Sequence, residues 1–327
     1  MNKKLIALAV ASAAVAPAAF AADSEVVMYG QVNLGVVIDS HYLGTGEQLR
    51  VENLGTSSRI GFKGSEKLGN GLTAWFRIEN GLAPDDASAS GWATREGWVG
   101  LKGDFGNVAL GRGKSAYQLA VEEFDWFDGP LTLGINEVDG LNASRFNNTI
   151  KYMGDFGPVS FSFDWGLGEN KGNGKSAGRY NSASLKYTMG DLWFIGAGDV
   201  EKDANRANRD RRDALLGLGW GSGPVAVAGA YQYASAKDTG VKVKRNSFLV
   251  TGSYSMDNLT LKAGLDIGDK QRVNGTKVAD SQFVHSLLGV NYALSKRTKL
   301  MSEYGRIDFK KPIQDKSTFT VGVMHAF

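Results

Sequence analysis

The chain has 327 residues, with 37 basic and 34 acidic side chains and no cysteine. The lack of cysteine excludes disulfides, cysteine-type zinc sites and thiol catalysis, and the near balance of charge argues against a nucleic-acid-binding surface, which needs a clustered basic excess. With 43 glycines and only 6 prolines, the composition is unusual for a soluble domain of mixed helix and strand.

Residues 1–22 predict an export signal. A positive Asn-Lys-Lys start at 2–4 is followed by an apolar run at 5–15 and by the small-x-small sequence Ala-Phe-Ala at 19–21. We expect cleavage after Ala21 or Ala22. The alternative, an N-terminal anchor, needs a longer apolar run to cross about 30 Å of hydrocarbon. The mature chain, 23–327, is therefore expected to be one exported domain, with 35 basic and 34 acidic residues.

Polar and apolar residues alternate with a period of two along the rest of the chain. In 159–165 and 259–267 every second residue is apolar, and the residues between them are polar or small. Successive side chains of a strand point to opposite faces, so each segment predicts a strand with one apolar face. Sixteen segments fit: 26–39, 52–63, 72–80, 94–102, 106–112, 147–153, 159–167, 182–189, 192–201, 212–219, 225–233, 247–256, 259–269, 284–293, 298–309 and 317–327.

The sixteen segments allow two all-β architectures. In a soluble sandwich or lectin-like barrel, one face of every strand would be buried in a shared core. Charges on the second face of a strand are costly against a packed core and natural against water. After residue 22 the sequence has no run of eighteen apolar residues, so a membrane-spanning helix is not expected. An even strand count and an export signal favour an antiparallel transmembrane β-barrel with its apolar faces toward lipid and a water-filled bore.

The connections between segments alternate in length. Short ones such as 69–71, 103–104, 190–191, 222–224 and 257–258 contain residues that tolerate positive φ. Longer polar ones lie between them, at 40–50, 168–181, 202–211, 234–246 and 270–283. Brief turns at one end and long loops at the other are typical of outer-membrane barrels.

Several motifs resemble a known family. They are Met-Tyr-Gly-Gln-Val at 28–32, Ser-Arg-Ile-Gly-Phe-Lys-Gly-Ser-Glu at 58–66, Arg-Glu-Gly-Trp-Val-Gly-Leu-Lys at 95–102, Ala-Leu-Gly-Arg at 109–112 and Val-Gly-Val-Met-His-Ala-Phe at 321–327. In this order they resemble the general porins of Gram-negative outer membranes, especially the neisserial-type branch. The resemblance implies a homotrimer of sixteen-stranded barrels, surrounded by outer-membrane lipid and lipopolysaccharide. Each barrel would have a passive channel narrowed by an inward-folded third loop, with no cofactor and no enzymatic activity.

The connection 113–146 is far longer than a hairpin requires, and such loops are usually functional. It contains the acids Glu122, Glu123, Asp125, Asp128, Glu137 and Asp139, with Lys114 and Arg145 near its ends. An acidic loop inside a bore would face basic residues on the wall.

Arginines are expected on that wall. Matched to the porin motifs, the resemblance places Arg59, Arg95 and Arg145 there, whereas alternation puts Lys63 beside Arg59 and gives Arg77 a polar-face position. Arg95 shares register with apolar residues of its segment, so a bulge or a strand start is needed to turn it inward. Opposed acids and arginines would form a selectivity filter, because they produce a transverse field that orients dipolar solutes and biases which ions pass. The alternative for any one arginine is an ordinary solvated bore residue.

The final residue, Phe327, resembles the signal by which porin-type strands are recognised by the barrel-assembly machinery. It ends a segment in which Val323 and His325 alternate with it.

Two other functions remain open. An outer-membrane hydrolase could use Asp85 and Asp86 with His41 or His285, but the sequence identifies no third group to orient them. The Gly-Lys-Ser at 113–115 fails as a phosphate loop, since the required earlier glycine is replaced by Val108. The three histidines, His41, His285 and His325, have no metal-like spacing.

The second open function is a solute-specific channel for sugars or phosphate. Such a channel would keep the same fold and use the same arginines.

Overall fold

The computed structural model describes residues 25–40, 48–55, 57–86, 91–130, 132–134, 145–168, 179–203, 209–238, 240–310 and 315–327. The predicted signal segment lies outside these ranges. Within them, sixteen antiparallel strands form one closed barrel, and two further two-residue strands, Arg272–Val273 and Thr276–Lys277, form a small hairpin at its edge. The strands are β1 Glu25–Ser40, β2 in two parts Gln48–Asn53 and Arg59–Gly69, β3 Leu72–Gly81, β4 Glu96–Gly103, β5 Gly106–Lys114, β6 Arg145–Phe156, β7 Val159–Gly166, β8 Arg179–Met189, β9 Leu192–Asp203, β10 Arg209–Ser222, β11 Val225–Asp238, β12 Val241–Met256, β13 Leu259–Gly268, β14 Phe283–Ala293, β15 Thr298–Phe309 and β16 Lys316–Ala326.

The ring closes where β1 pairs with β16, from Gln31 opposite Ala326 to Ser40 opposite Ser317. On its other edge, β1 pairs with both parts of β2. Along the described strands, each edge of the ring is paired with a neighbour, as a membrane requires. The predicted barrel of sixteen strands is confirmed.

Outward and inward side chains differ as the alternation predicted. Along β10, Leu216, Leu218 and Trp220 are exposed on the outer face, with Leu216 67% exposed. The inner face is largely polar, and many of its side chains are buried inside the barrel, among them Asp164, Ser182, Gln232, Arg245, Lys262, Asp266, His285, Glu303 and Thr320. The apolar outer surface and polar bore define a membrane barrel, because a soluble sandwich would place the apolar faces inward.

The short connections form tight turns at one end of the barrel, called here the turn end. Asn70, Gly190, Gly223 and Asp257 adopt positive φ there, as the predicted turns require. The opposite end, called the loop end, carries the longer connections. Outer-membrane barrels direct their short turns to the periplasm and their longer loops to the exterior.

Two predicted boundaries were wrong. The predicted loop 234–246 is mostly strand, since β11 continues to Asp238 and β12 begins at Val241. Charged residues interrupt the hydropathy pattern in this hairpin, but its backbone pairing continues. The predicted continuous segment 52–63 is broken instead at Leu54, where the Gly55 amide donates to the Gly129 carbonyl (3.1 Å). A Cβ on Gly55 would overlap that carbonyl oxygen, so the break makes room for the long loop.

The long connection between β5 and β6 folds into the barrel. Its helix, α1, spans Ala116–Glu122 and is capped by Ser115, whose hydroxyl accepts from the Gln118 amide at 2.9 Å. Buried apolar residues form a core between this loop and the inner wall, comprising Tyr117, Ala120, Val121, Phe124, Ile195, Leu215, Ala228, Ala230 and Leu249. In the described ranges, no helix is long and apolar enough to span a membrane.

A charge on the outer face should destabilise the barrel according to its depth. We expect Leu216→Arg to lower the free energy of unfolding in bilayers by about 2–4 kcal/mol, because Leu216 lies midway along β10. Ser222→Arg is the matched control, since Ser222 is in the same outward column at the turn end and should cost only about 0–1 kcal/mol. Urea titration in lipid vesicles measures both. Equal losses would contradict the assigned membrane depth.

Candidate functional site

One end of the inserted loop is fixed by apolar packing on β9 and β10. The Phe124 ring is fully buried and lies 5.2 Å from the ring of Trp193. A Cβ at Gly217 would overlap the Phe124 ring, so a glycine on the inner face of β10 creates the seat for this aromatic side chain. The loop is therefore held against the wall by the fit of the Phe124 ring over Gly217 as well as by the burial of apolar side chains.

Polar wall residues receive the first turn of α1. The Asp164 carboxylate accepts from the Ala116 amide at 2.6 Å, and the Ser182 hydroxyl accepts from the Tyr117 amide at 2.8 Å. Asp164 also pairs with Lys151 at 2.8 Å. The first turn of a helix has amides without intrahelical partners, and here the barrel wall supplies the acceptors.

A second part of the loop, at Asp128 and Gly129, is fixed to β13 and β15. Glu303 accepts from the amides of Asp128 (2.9 Å) and Gly129 (2.5 Å). Lys262 pairs with Glu303 at 2.7 Å and with the Asp128 carboxylate at 3.2 Å, and Lys299 pairs with Asp128 at 2.7 Å. The described part of the loop thus extends from the wall at β9 and β10 to β13 and β15, and it is anchored at both places.

A second charged cluster lies on the wall formed by β2, β3 and the start of β4. Glu79 pairs with Arg95 at 2.7 Å and with Arg59 at 3.5 Å, and it accepts from the Tyr29 hydroxyl at 3.0 Å. Arg77 pairs with Glu96 at 3.1 Å. Three of the four arginines expected at the bore are therefore brought together around wall carboxylates.

Strand geometry explains how Arg95 joins this cluster. The strand β4 starts at Glu96, so Arg95 immediately precedes it and escapes the alternation that turns Val99 and Leu101 outward. The Arg95 amide donates to the Glu79 carbonyl at 3.1 Å, which brings the guanidinium to the Glu79 carboxylate. The strand start that the sequence required is present.

Two further wall cations, Arg145 and Lys63, lie near this cluster. Arg145 opens β6 opposite Lys114 and interacts electrostatically with Arg95 and Glu122. The Lys63 ammonium lies 5.3 Å from the centre of the Tyr29 ring. Both extend the basic surface along the inner face of β2 to β6.

Two acids of the loop pair with lysines at the start of the loop and on the wall. Within the described residues, Glu122 pairs with Lys114 at 2.7 Å and Glu123 with Lys186 at 2.8 Å. These two ion pairs are with lysines, and the opposition of the loop acids to the four arginines stays a prediction. Glu137 and Asp139 lie outside the described residues.

Asp125 and Asp128 differ in ionisation. Burial raises the pKa of Asp125 to about 7. Burial also opposes ionisation of Asp128, but Lys262 and Lys299 hold the pKa of that carboxyl below its usual range. Asp128 is therefore a charged anchor, whereas Asp125 is largely neutral in mildly acidic medium.

Sequence reasoning missed Glu79, Glu96, Lys262, Lys299 and Glu303. Alternation had placed Glu79 and Lys262 on polar faces, which was a usable signal for the bore. Their pairing required the register between strands, because Glu303 and Asp128 are 175 residues apart.

The residues weighed for hydrolysis do not converge. Asp85 accepts from the Asn53 amide at 2.9 Å. His285 is fully buried on the inner face of β14, opposite Asp266. His41 lies outside the described residues. A nucleophile, base and orienting group are not assembled from these side chains within the described ranges.

A closed barrel with an apolar exterior, a charged bore and a loop fixed across that bore defines an outer-membrane diffusion channel of the porin class. The comparisons with known proteins agree. A model described as Gram-negative porin matches residues 7–312, and the chain belongs to that family. It forms a water-filled channel for passive diffusion of small hydrophilic solutes in the outer membrane and is a channel rather than an enzyme.

Relatives span the whole chain. Outer membrane porin protein 32 of Delftia acidovorans is 31% identical over 99% of this chain and 92% of the relative. Major outer membrane protein P.IB of Neisseria sicca is 29% identical, with both chains fully covered. The solved "Anion-selective porin from Comamonas acidovorans" is 25% identical with a TM-score of 0.82, covering 93% of this chain and 100% of that one.

The Glu303 anchor should control the position of the loop. Glu303→Ala leaves two backbone amides without their acceptor and a buried Lys262 with one partner fewer, a loss of about 3–5 kcal/mol when a buried pair is broken. We expect noisier and larger single-channel currents in planar bilayers, with a lower unfolding temperature. Glu66→Ala, at an exposed position on β2, is the control. Currents identical to wild type would show that the anchor is dispensable.

Proposed function

We propose that Arg59, Arg77, Arg95 and Arg145 form a selectivity filter that favours anions. The observation that supports this is the balance of charge among the described residues of the wall: Arg59 and Arg95 pair with one carboxylate, Glu79, and Arg77 pairs with Glu96. The loop acids Glu122 and Glu123 pair with lysines. In a bore with low-dielectric walls, uncompensated charge of one sign raises the local concentration of the opposite ion.

Exposure separates three of these arginines from the buried Lys262. The side chains of Arg77, Arg59 and Arg95 are 43%, 28% and 16% exposed, so water and passing ions can reach them. The Lys262 side chain is only 3% exposed and has carboxylate partners. We therefore assign ion preference to the arginines and loop anchoring to Lys262.

One relative supports the sign of the preference. The solved porin from Comamonas acidovorans is described as anion-selective. The ion pairs of the described residues suggest the same sign for this chain, because they leave the wall cluster with more cations than carboxylates.

Neutralising two filter arginines should reduce the preference for anions. We expect Arg59→Gln with Arg95→Gln to lower the chloride-to-potassium permeability ratio roughly threefold, as removal of partly solvated charges would. The reversal potential in a potassium chloride gradient reports this ratio. Lys310→Gln is the control, because Lys310 lies beyond the end of β15 and its side chain is 60% exposed.

The loop acids allow the opposite test of the filter. Neutralising Glu122, Glu123, Asp125 and Asp128 together should move the reversal potential further toward anions, because the partner lysines lose their counter-charges. An unchanged reversal potential in both the arginine and the acid variants would remove the filter assignment.

We also propose that three copies of this barrel assemble as a homotrimer. A solved structural relative, OmpT of Vibrio cholerae, is described in a trimer form. On this chain, Leu49 and Val51 are 70% and 60% exposed on the outer face of β2, close to the loop end. They lie opposite Ile38 and Val36 of β1, so an apolar patch extends across both strands. An exposed apolar patch of this kind fits a contact between copies.

Phe327 is proposed as the signal recognised by the assembly machinery. Its backbone exchanges hydrogen bonds with Gly30 at 3.0 and 3.1 Å, and its ring covers Gly30, where a Cβ would collide with it. Phe327 therefore also extends the seam between the two ends of the chain.

Deleting Phe327 should separate recognition from folding. We expect several-fold less folded protein in the outer membrane but unchanged refolding into detergent from denaturant, since the β1–β16 pairs remain. Phe327→Tyr should restore the cellular level. Normal cellular levels of the deletion variant would contradict the signal, and failed refolding in detergent would assign Phe327 to the seam instead.

A further inference from the structure

A cavity of about 730 Å³ lies inside the bore, between the helix α1 and the turn end of the barrel, and we call it the turn-side cavity. Its wall consists mainly of inner-face residues of β3, β4, β5 and β6, and Lys114 and Leu119 reach it from the inserted loop. Arg77 and Glu96 of the charged wall cluster also line it. The cavity has the size of a small-molecule site.

Two tryptophans give the turn-side cavity an aromatic wall. The Trp75 indole on β3 covers Gly100 of β4, where a Cβ would come within 2.6 Å of the indole nitrogen. The same nitrogen donates to the Asn107 side-chain oxygen at 2.8 Å, which fixes the plane of the ring. Trp98 covers Gly113 in a similar way and is only 8% exposed, whereas Trp75 is half-buried. Trp75 is therefore the aromatic surface that a solute in the cavity can reach.

Cations lie on both sides of Trp75. Arg77 is two residues further along the same face of β3, and Lys102 of β4 lies opposite Thr73, two residues before Trp75. Neighbours on one face of a strand are about 7 Å apart. Arg77 pairs with Glu96, whereas Lys102 is exposed and belongs to none of the ion pairs found among the described residues. Lys102 thus has an ammonium group available to a solute that contacts Trp75.

The charge of the lining favours an anion. The described lining contains four cations and two acids, with Arg77, Lys102, Lys114 and Lys151 against Glu96 and Asp104. Ammonium and guanidinium groups only donate hydrogen bonds. Two acceptors of the lining already have donors, since the Asn107 oxygen accepts from Trp75 and Glu96 accepts from Arg77. A carboxylate supplies the missing acceptors together with the complementary charge.

We propose that the turn-side cavity binds aromatic carboxylates, with the ring against the Trp75 indole and the carboxylate between Lys102 and Arg77. Ring stacking uses the plane of the indole, and the carboxylate accepts charge-assisted hydrogen bonds at its edge. Weak binding suits a channel, because a solute has to leave a site in the bore as readily as it enters. The site goes beyond the ion filter and does not require it, since Trp75 and Lys102 are not filter residues.

The test is the block of chloride current by benzoate, added at the turn end of single channels in planar bilayers. We expect a saturable decrease of the current. Trp75→Leu should raise the half-blocking concentration about fivefold through loss of the aromatic contact. Trp75→Phe keeps a ring and should stay within about twofold of wild type. Lys102→Gln should raise the concentration about fivefold, as loss of a partly solvated charge would. Only folded channels carry current, so every value comes from folded protein.

Matched controls separate the cavity from the filter and from charge in general. Lys296→Gln removes one charge at the exposed turn between β14 and β15, outside the cavity lining, and should leave block by benzoate at the wild-type level. The reversal potential of Trp75→Leu in a potassium chloride gradient should equal that of wild type, because no charge is changed. A failure of the filter proposal would appear in the arginine variants and leave block by benzoate intact.

Two related solutes test the chemical class of the ligand. Cyclohexanecarboxylate keeps the charge and size of benzoate without an aromatic ring, and benzamide keeps the ring without the charge. Each should need at least about threefold more for half block. Wild-type block of both Trp75→Leu and Lys102→Gln would overturn the proposal, as would equal block by cyclohexanecarboxylate. Tighter block by glucose 6-phosphate than by benzoate would assign the cavity to sugar phosphates instead.

Discussion

Hydrocarbon offers no partner to a backbone amide or carbonyl, and this constraint governs the whole chain. An open sheet would leave two edges unpaired in lipid, so the first and last strands have to meet. They do so over ten residue pairs, from Gln31 with Ala326 to Ser40 with Ser317. The backbone of Phe327 adds a further pair of hydrogen bonds to Gly30. With the ring closed, each strand has one face for lipid and one for water.

The loop between β5 and β6 uses the same bore that closure creates. A segment inside a water-filled barrel has no continuous hydrophobic core to hold it, so its position depends on local anchors. Phe124 occupies the space left by Gly217 at one side. Glu303 receives two backbone amides at the other, with Lys262 balancing its charge. The break in β2 near Gly55 is part of the same anchoring, because the Gly55 amide donates to the carbonyl of Gly129 in the loop.

Charge on this barrel is used in three environments with different energetic consequences. Buried pairs such as Lys151 with Asp164 hold structure and are costly to break. Partly hydrated arginines on the bore wall keep contact with water, which leaves their field available to passing ions. Lysines and arginines such as Lys202 and Arg212 are exposed on the outer face at the loop end, outside the bore.

The sequence alone determined the two-faced strands, their number and most turns, because alternation is local and every second residue reports one face. Turn positions such as Asn70 and Gly223 were readable for the same reason, since positive φ restricts residue choice. The hairpin from Asp238 to Val241 was hidden, since backbone pairing continues where hydropathy no longer alternates. Only the tertiary structure decided which charges pair, because Lys262 meets Asp128 across 134 residues through ring closure and loop insertion. Such pairing depends on the register between strands and on the path of the loop, and neither produces a periodic pattern in the sequence.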